Sequence, residues 1–575
     1  MDWTVMKMVV SSPLSGLCKI LLLLIALFTV GSAGEIDSRH PLPVFEKPDI
    51  FSPVMQTLPP GKYEISAPLQ RTFSVRHPIA YYGRFAPLKS GGFASPDVAV
   101  DREGNPFFLA SSFQWQTPLA AVLIASLAVL TFIFVREKRA GKIEHDSARE
   151  SFFFIMTAVL VRQILVLLET SFWGNALPCA ADEPGYFKVV YDVLHGSFKG
   201  PWNFTAGLGI FYLPFVFLTD AQQYYDIAVI FSYFDALVIV PCGIAAAFLV
   251  FKNFGVKKYA AFAAVLVWAL YPFFIYHAEL WDAKIFKPFA ALPCFLDGVP
   301  DWWRFYAVCI NAGFNAMSDA PGLTAVFFTL LLAQKIPVKK WNMFFIGAAF
   351  GFCCLVRINY IFFAPVIAFI CLVKAPLDNK KELFKLAGAA AGGFLALFGW
   401  QLLINQYQFG NMLVFGYSLH YLDFPPDKRP DTGFNWSTLL EWQNIRFLIG
   451  ANKFLMTAGI AGLCFLRERR LRIALTLTAV PLILFFFGYT HTYCDARRFI
   501  MMAFPVFIAA FCCGIANFSL HEGGGWRKYL PIGIIPLMAL LWFMPAKIYA
   551  ICLCLLLLRT IFDLQQELRR GILIK

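Results

Sequence analysis

Two neighbouring carboxylates, Asp182 and Glu183, have the residue type and the position that point to chemistry. They follow a long apolar run, and Asp319 stands at the start of a later one. Acidic side chains are costly at a membrane boundary, which favours a functional role, and a carboxylate can accept the proton of an attacking hydroxyl group. The alternatives are a solvated loop for the acid pair and a helix cap for Asp319.

Three arginines could act on an anionic substrate. Arg357 lies at the turn between two apolar runs, whereas Arg497 and Arg498 precede another. A planar guanidinium can neutralise a departing phosphate, so acids and arginines on one membrane face predict group transfer from a lipid-linked phosphate. The alternatives are a helix break at Arg357 and interfacial anchors at Arg497 and Arg498.

The elements that carry these residues are typical of a membrane protein. Hydrophobic residues make up 59% of the 575 residues and charged residues 15%, and the mean hydropathy is +0.63. Apolar runs of about 16–26 residues, separated by short basic loops, predict a polytopic helical protein. Because the net charge of +13 lies in these short loops, it argues against nucleic acid as a partner.

The basic clusters between apolar runs give one consistent orientation. All of them share the cytoplasmic side when the intervening runs alternate across the membrane. The opposite, extracytoplasmic face then receives Asp182, Glu183, Asp282, Asp319, Arg357, Arg497 and Arg498. The predicted location is therefore the cell (inner) membrane, with an active site on its extracytoplasmic face.

The chain is predicted to contain five segments. Residues 1–34 are a signal peptide or an N-terminal anchor, and residues 35–116 are a small β-rich extracytoplasmic segment. Residues 117–150 add a transmembrane helix and a basic cytoplasmic loop, 151–520 form the main membrane domain, and 521–575 form C-terminal helices and a basic tail. No Walker-type loop and no dinucleotide-binding glycine pattern occurs, which argues against ATP-driven transport.

Four short motifs in this order resemble the GT-C superfamily of membrane glycosyltransferases. They are Asp182-Glu183 with Tyr186, the Gly-rich segment from Gly347 to Pro365 with Arg357, Asn405 to Asn411 with Gly416-Tyr417, and Arg497-Arg498-Phe499 to Pro505. The nearest likeness is to bacterial relatives of protein O-mannosyltransferases and to the aminoarabinose transferase of lipid A. It covers residues 151–520 and implies an all-α, GT-C-like polytopic fold with about 13–14 transmembrane helices.

The resemblance implies an inverting transfer of a sugar from a polyprenyl-phosphate carrier to a lipid, glycan or protein acceptor. It implies Asp182 as general base, Glu183 and Asp319 as further catalytic acids, and a phosphate held by Arg357, Arg497 and Arg498. Tyr186, Asp282 and Tyr417 would contact substrate. No cofactor is identified, and relatives differ in whether they use a divalent metal ion.

The chain departs from the family in its second acid. The family has that acid soon after the helix that ends near Pro272, whereas Asp319 lies beyond residues 278–318, which look like an insertion. Either Asp282 or Asp319 could fill the role, and the apolar run starting at Asp319 favours the latter.

A transporter or flippase for a lipid-linked sugar is the alternative function. It would use the same cations to hold a phosphate, with ionisable groups near the middle of the membrane. Arg162 and Glu169, both in run 151–172, are the predicted pair for such a pathway. The acids gather at one membrane face and no internal repeat is evident, which favours the transferase.

Overall fold

A computed structural model of the protein covers the whole chain and is described here for most of residues 35–573. The described residues are 35–50, 52–67, 70–76, 79–96, 98–101, 103–108, 116–140, 147–173, 176–178, 182–198, 201–219, 221–285, 318–376, 378–416, 442–466, 468–488, 500–519 and 534–573. The predicted signal peptide or anchor at residues 1–34 lies outside this part of the chain.

Short antiparallel strands form the segment that precedes the membrane helices. They are β1 (Glu35–Ser38), β2 (Leu42–Phe45), β3 (Val54–Leu58), β4 (Gly61–Glu64), β5 (Gln70–Arg76), β6 (Ile79–Pro87), β7 (Phe93–Ala94), β8 (Val98–Val100) and β9 (Pro106–Phe108). The largest sheet has the order β10-β6-β7-β2-β3, where β10 is Ala176–Pro178, and β5 also pairs with β6. This confirms the predicted N-terminal β-rich segment.

The sheet also takes a strand from the loop that carries the acid pair. Strand β10 (Ala176–Pro178) pairs antiparallel with β6, with Leu177 opposite Ala80. Because β10 ends just ahead of Asp182, the β-rich segment fixes the chain immediately before the two acids.

The rest of the described chain is helical. Its α-helices are α1 (Gln116–Arg139), α2 (Ser147–Trp173), α3 (Glu183–Leu194), α4 (Gly207–Thr219), α5 (Tyr224–Phe234), α6 (Val240–Asn253), α7 (Lys258–Ile285), α8 (Asp319–Lys335), α9 (Lys340–Val356), α10 (Ala364–Lys374), α11 (Lys380–Phe409), α12 (Trp442–Ala451), α13 (Lys453–Phe465), α14 (Arg469–Phe486), α15 (Phe504–Ser519), α16 (Ile534–Phe543) and α17 (Ala546–Leu573). A π-helix (Asp235–Ile239) joins α5 to α6, and 3-10 helices occupy Ile358–Phe363 and Met501–Ala503.

Five helical stretches in the described part are long and apolar enough to cross a membrane. They are Gln116–Arg139, Ala148–Leu168, Asp226–Asn253, Lys380–Phe409 and Ala546–Arg569. Shorter apolar helices accompany them at Gly207–Thr219, Lys258–Tyr271, Lys340–Val356, Ile358–Lys374, Lys453–Phe465 and Met501–Ala516. This is the composition of a multi-pass membrane protein, while the count of 13–14 crossings stays a prediction.

Asp319 and the lysines of α8, α9 and α10 lie at opposite ends of these helices. Helix α8 runs from Asp319 to Lys335, and α9 returns from Lys340 to Val356, beside Arg357. At the lysine end, the Lys374 ammonium donates to the carbonyl oxygens of Ala333 at 2.7 Å and Ile336 at 2.6 Å. Asp319 and Arg357 thus lie at the end of these helices opposite to the lysines, and the side of the membrane that each end faces stays a prediction.

Helices α9 and α11 pack with their backbones in direct contact. A Cβ atom built on Gly347 would lie 1.9 Å from the Ala390 carbonyl oxygen, and one on Gly393 would lie 1.9 Å from that of Phe344. Small residues allow such an approach and are typical of helix pairs in membranes. This packing fixes the end of α9, where Arg357 lies.

Three helices differ in their bounds from the apolar runs of the sequence. The apolar run 384–404 predicts a helix that ends at residue 404, but helix α11 continues to Phe409, and Gly410 ends it in a left-handed conformation with φ 68°. The apolar run 448–466 predicts one helix, but Asn452 divides it into α12 and α13. Helix α7 continues past His277 to Ile285, so part of the predicted insertion is helical.

Candidate functional site

Asp319 and Arg357 form a buried ion pair at the start of α8. Asp319 is the first helical residue rather than the cap, which is Ser318, and its carboxylate accepts from Nη1 of Arg357. The two residues are 3% and 4% exposed. The capping alternative is therefore wrong for Asp319, and the predicted acid and the predicted phosphate ligand bind each other.

The backbone around Arg357 explains how its side chain reaches Asp319. Arg357 is extended (φ −157°, ψ 124°) between α9 and the following 3-10 helix. Its N–H donates to the Cys353 carbonyl at 3.0 Å and its carbonyl accepts from Tyr360 N–H at 3.1 Å. The break predicted at Arg357 is present, and it turns the guanidinium into the protein rather than towards solvent.

Hydroxyl groups complete the surroundings of the ion pair. The Tyr186 hydroxyl and the Ser318 Oγ lie 2.9 Å apart, and Arg357 Nη1 donates to that Oγ at 3.5 Å. Tyr360 donates its hydroxyl to the Asp319 carbonyl oxygen. Helices α3, α8 and α9 therefore meet through a continuous set of polar contacts.

The acid pair opens helix α3. Asp182 is the N-cap residue, and its carbonyl accepts the N–H groups of Gly185 at 3.0 Å and Tyr186 at 3.3 Å. Asp182 is half-buried, whereas Glu183 is 0% exposed. The solvated-loop alternative is therefore wrong for Glu183, and Asp182 is the member that remains accessible.

Glu183 and Tyr186 lie three residues apart on α3 and therefore on one helix face. Because Tyr186 contacts Ser318, this face is directed towards the ion pair. We call Glu183, Tyr186, Ser318, Asp319 and Arg357 the acid–arginine cluster.

A loop that the sequence did not single out packs α3 against α9. Phe204 stacks on Tyr186 with ring centroids 4.2 Å apart. The Thr205 hydroxyl donates to the Val356 carbonyl oxygen at 3.1 Å, next to Arg357. The Trp202 indole N–H donates to Asp192 Oδ2 at 3.0 Å, near the end of α3. This loop (201–206) positions both halves of the cluster.

The C-terminal part of α11 holds that loop. Gln401 Oε1 accepts the Ala206 N–H at 2.9 Å while its Nε2 donates to Asn405 Oδ1 at 2.9 Å. Gln408 Oε1 accepts the Trp202 N–H at 3.0 Å. The segment around Asn405, which resembles a family motif, contacts this loop and so supports the cluster indirectly.

Replacing Gln401 by leucine should therefore destabilise the protein and displace the loop. The half-buried Ala206 N–H and the buried Asn405 Oδ1 would each lose a partner, and a buried polar group left without one costs about 1–3 kcal/mol. The thermal midpoint in detergent should fall accordingly. Gln406→Leu, at an exposed position of the same helix, is the matched control and should shift the free energy of unfolding by no more than about 0.5 kcal/mol. Equal shifts in both variants would contradict the role of Gln401.

A second buried pair of charges lies on α2 and the π-helix. Arg162 is 1% exposed and Asp235 is 0% exposed, and the two attract each other electrostatically. Both lie inside stretches able to cross a membrane. Asp235 was not among the predicted site residues, although an acid inside the apolar run 226–251 is a signal of function.

An apolar cavity of about 400 Å³ lies between α9, α10 and α11. Its walls include Gly347, Phe350, Ile361, Ala364, Ala390 and Phe394. Ile361 and Ala364 belong to the chain that directly follows Arg357. The cavity therefore has part of its wall on the segment that follows Arg357 and extends between apolar helix surfaces towards Val338 and Ala375, and its apolar lining is suited to a hydrocarbon chain.

No protein-family model matches this chain, and no curated protein or solved structure matches it at a significant level. The function is therefore argued from the geometry of the site and from the resemblance of the short motifs.

The structure brings some of the predicted site residues together. Glu183, Tyr186, Asp319 and Arg357 come together, and Asp182 adjoins them at the start of α3. Asp282 lies in the helical backbone of α7, and its side chain is outside the described residues, as are Tyr417, Arg497 and Arg498. Within the described ranges, no group of three or more His, Cys, Asp or Glu side chains could hold a metal ion.

Proposed function

We propose that this chain is a membrane glycosyltransferase of the GT-C type, with about 13–14 transmembrane helices. It would move a sugar from a polyprenyl-phosphate carrier to a lipid, glycan or protein acceptor at the extracytoplasmic face of the cell membrane, with inversion at the sugar. The observation that carries the proposal is the buried acid–arginine cluster, together with an apolar cavity whose wall includes part of the segment that follows Arg357.

Asp182 is the general base in this proposal. Because it is half-buried at the start of α3, an acceptor can reach its carboxylate, unlike that of Glu183. The acceptor oxygen forms a bond to the anomeric carbon as the bond from that carbon to the phosphate oxygen breaks. The phosphate leaves with the electron pair, and Asp182 takes the acceptor proton.

Arg357 stabilises the negative charge that develops on the leaving phosphate. A guanidinium held in a water-poor site stabilises such charge strongly. The Arg357 guanidinium is bound to the Asp319 carboxylate in this structure, so the donor phosphate must compete with that carboxylate for the guanidinium. Glu183 and Asp319 then orient the acceptor or balance positive charge at the anomeric carbon.

The cavity between α9, α10 and α11 would receive the isoprenoid tail of the donor. Its lining is apolar and its near end follows Arg357 in the chain, so a phosphate at Arg357 could extend its tail into the cavity. In the same proposal Arg497 and Arg498 add phosphate contacts, and Asp282 and Tyr417 add substrate contacts. A divalent metal ion remains compatible with it.

One observation favours transport of a lipid-linked sugar as a second candidate function. Arg162 and Asp235 are buried inside two stretches able to cross a membrane, and such ionisable groups often mark a transport pathway. Asp235 on the π-helix interacts electrostatically with Arg162, and the side chain of Glu169, the predicted partner, lies outside the described residues. A transporter would move the carrier with its sugar–phosphate bond intact.

Profiling the lipids and glycans of a deletion strain tests the proposed function. Loss of the enzyme should remove one sugar from an envelope acceptor and raise the level of the matching polyprenyl-phosphate sugar. Complementation with the wild-type gene should restore both, whereas Asp182→Asn expressed to the same level should not. An unchanged envelope in the deletion strain, or full restoration by Asp182→Asn, would contradict the proposal.

A further inference from the structure

The lining of the apolar cavity begins at the end of α9 and α11 where lysines gather, the lysine end. On α11 it runs from Leu383 to Phe394. At a rise of 1.5 Å per residue this stretch is about 16 Å long, which is half of the roughly 30 Å hydrocarbon core of a bilayer. A Cβ atom built on Gly351 of α9 would lie 2.6 Å from the Phe394 carbonyl oxygen, so the α11 lining ends more than one helical turn before Arg357. The α11 side of the cavity therefore has the length of one leaflet.

The cavity has exposed residues in its wall on two helices. Ala368 of α10 and Ala387 and Ala391 of α11 line it and are exposed, whereas Phe350 and Leu386 are buried deeper in the wall. Wall atoms that face an empty space lack van der Waals partners, so an apolar cavity with access to hydrocarbon is better filled. In a membrane, the chain of a lipid in the same leaflet is the hydrocarbon within reach.

Three lysines lie one turn beyond the residues that line the cavity. Lys339 and Lys340 precede Met343 by four and three residues at the start of α9, and Lys380 precedes Leu383 by three residues at the start of α11. Residues at these spacings are neighbours on a helix surface. All three lysines are exposed, and none forms an ion pair with another described residue. We call them the cavity lysines.

Two other lysines at this end are engaged by the protein itself. The Lys374 ammonium donates to the carbonyl oxygens of Ala333 and Ile336, and Lys385 lies 3.6 Å from Glu382. The cavity lysines are thus the cations that can receive an anion from outside the described chain. Lysines near a membrane surface attract anionic lipids, and basic pockets between transmembrane helices bind lipid head groups.

We propose that the cavity binds one phospholipid with a negatively charged head group, taken from the leaflet at the lysine end. One acyl chain lies between α9, α10 and α11, and the cavity lysines hold the phosphate. This site goes beyond the proposed function, because the acid–arginine cluster takes no part in it. The isoprenoid tail of the proposed donor would reach the cavity from the Ile361 end, and the phospholipid chain would limit how deeply that tail enters.

Native mass spectrometry of the purified, delipidated full-length protein tests the head-group contact. Dioleoyl phosphatidylglycerol should bind tightly as one molecule, and dioleoyl phosphatidylcholine, whose head group has no net charge, should bind more weakly. In Lys339→Gln/Lys340→Gln/Lys380→Gln the affinity for phosphatidylglycerol should fall about 100-fold, since each lysine contributes about fivefold towards an anionic lipid.

A second triple variant controls for the loss of positive charge. Arg136→Gln/Arg139→Gln/Lys257→Gln removes the same charge from exposed positions in two other basic loops and should leave the affinity unchanged. Phosphatidylcholine binding as tight as that of phosphatidylglycerol, or equal losses of affinity in the two triple variants, would overturn the proposal.

Two substitutions in α11 test the place of the chain. A phosphatidylglycerol with a photoreactive diazirine in the middle of one chain should crosslink to Phe350 or Leu386 of the wild type. Ala387→Trp fills the exposed part of the cavity wall and should abolish these crosslinks. Gly388→Trp adds the same bulk at an exposed position where a Cβ atom would meet nothing within 4 Å, and should keep them. Crosslinks that persist in Ala387→Trp would overturn the assignment of the cavity.

Farnesyl methyl phosphate, a short diester analogue of the donor, distinguishes this inference from the proposed function. It should bind the cavity-lysine variant as tightly as the wild type, because the proposed donor site holds its phosphate at Arg357. Parallel loss of the analogue and of phosphatidylglycerol in that variant would overturn a separate phospholipid site. Failure of the analogue to bind the wild type would overturn the donor site, while tight binding of phosphatidylglycerol would still support the phospholipid site.

Discussion

Replacing Asp182 by asparagine should lower the rate of sugar transfer by about 10²–10⁴-fold, the usual contribution of one positioned general base. The amide keeps the shape of the side chain and the N-cap position of α3 but cannot accept a proton from the acceptor hydroxyl. Because the Asp182 backbone carbonyl accepts the N–H groups of Gly185 and Tyr186 and is unchanged by the substitution, the helix should persist. Initial rates with a labelled polyprenyl-phosphate sugar and an envelope extract as acceptor measure the effect.

Asp378→Asn is the matched control for this substitution. Asp378 is an exposed acid in the turn between α10 and α11, so its removal should leave the rate unchanged. The affinity for the donor should stay the same in both variants, because neither acid contacts the phosphate in the proposal. Transfer by Asp182→Asn at close to the wild-type rate would remove Asp182 from the role of base.

Replacing Arg357 by glutamine should have the second large effect, on folding and on donor binding together. Breaking a buried pair by removing one partner typically costs about 3–5 kcal/mol, because the remaining charge is left uncompensated. Here Asp319 would be that charge, with its side chain 4% exposed. The thermal midpoint in detergent should fall, and binding of farnesyl methyl phosphate should be lost.

The double variant Asp319→Asn/Arg357→Gln separates these two effects. It removes both charges, so much of the lost stability should return, while phosphate binding should remain absent because no guanidinium is left. Recovery of phosphate binding in the double variant would exclude Arg357 as the phosphate ligand. Equal instability of the single and double variants would show that the ion pair is not what makes Arg357 important for folding.

The coarse architecture and several site elements could be predicted from local patterns. An apolar run with a basic end predicts a helix and the direction in which it crosses the membrane, because hydrophobicity and charge can both be assessed within one segment. Asp319 followed by Ala-Pro-Gly predicts a helix start, and α8 begins at Asp319. Arg357 between two apolar runs predicts a break, which the structure contains.

The contacts that build the site could not be predicted in this way. The ion pair of Asp319 with Arg357 joins two separate helices, and the support from Gln401 to loop 201–206 joins segments far apart in the chain. Local patterns carry no information about such pairing. Asn405 illustrates the limit, since it follows the apolar run 384–404 and yet lies inside helix α11, where its Oδ1 accepts a hydrogen bond from Gln401.

Asp235 illustrates a second reason why the site could not be predicted from the sequence. The sequence shows that Asp235 lies within an apolar run. Its surroundings depend on neighbouring helices, which bring Arg162 and Asp319 within electrostatic range of it. A charge inside a membrane-spanning stretch therefore predicts function without identifying its partner. The sequence predicts Glu169, on the same helix, as the partner of Arg162, and the Glu169 side chain lies outside the described residues. The structure adds Asp235, on another helix, as an acid that interacts electrostatically with Arg162.

The fate of the sugar–phosphate bond tests the central claim most directly. Purified protein in liposomes would receive a polyprenyl-phosphate sugar labelled in both the sugar and the lipid, together with an envelope extract as acceptor. The transferase proposal predicts one free polyprenyl phosphate for each sugar that appears on the acceptor, with the anomeric configuration inverted. Movement of the doubly labelled donor across the bilayer with its bond intact, and no sugar on the acceptor, would contradict the proposal and favour transport.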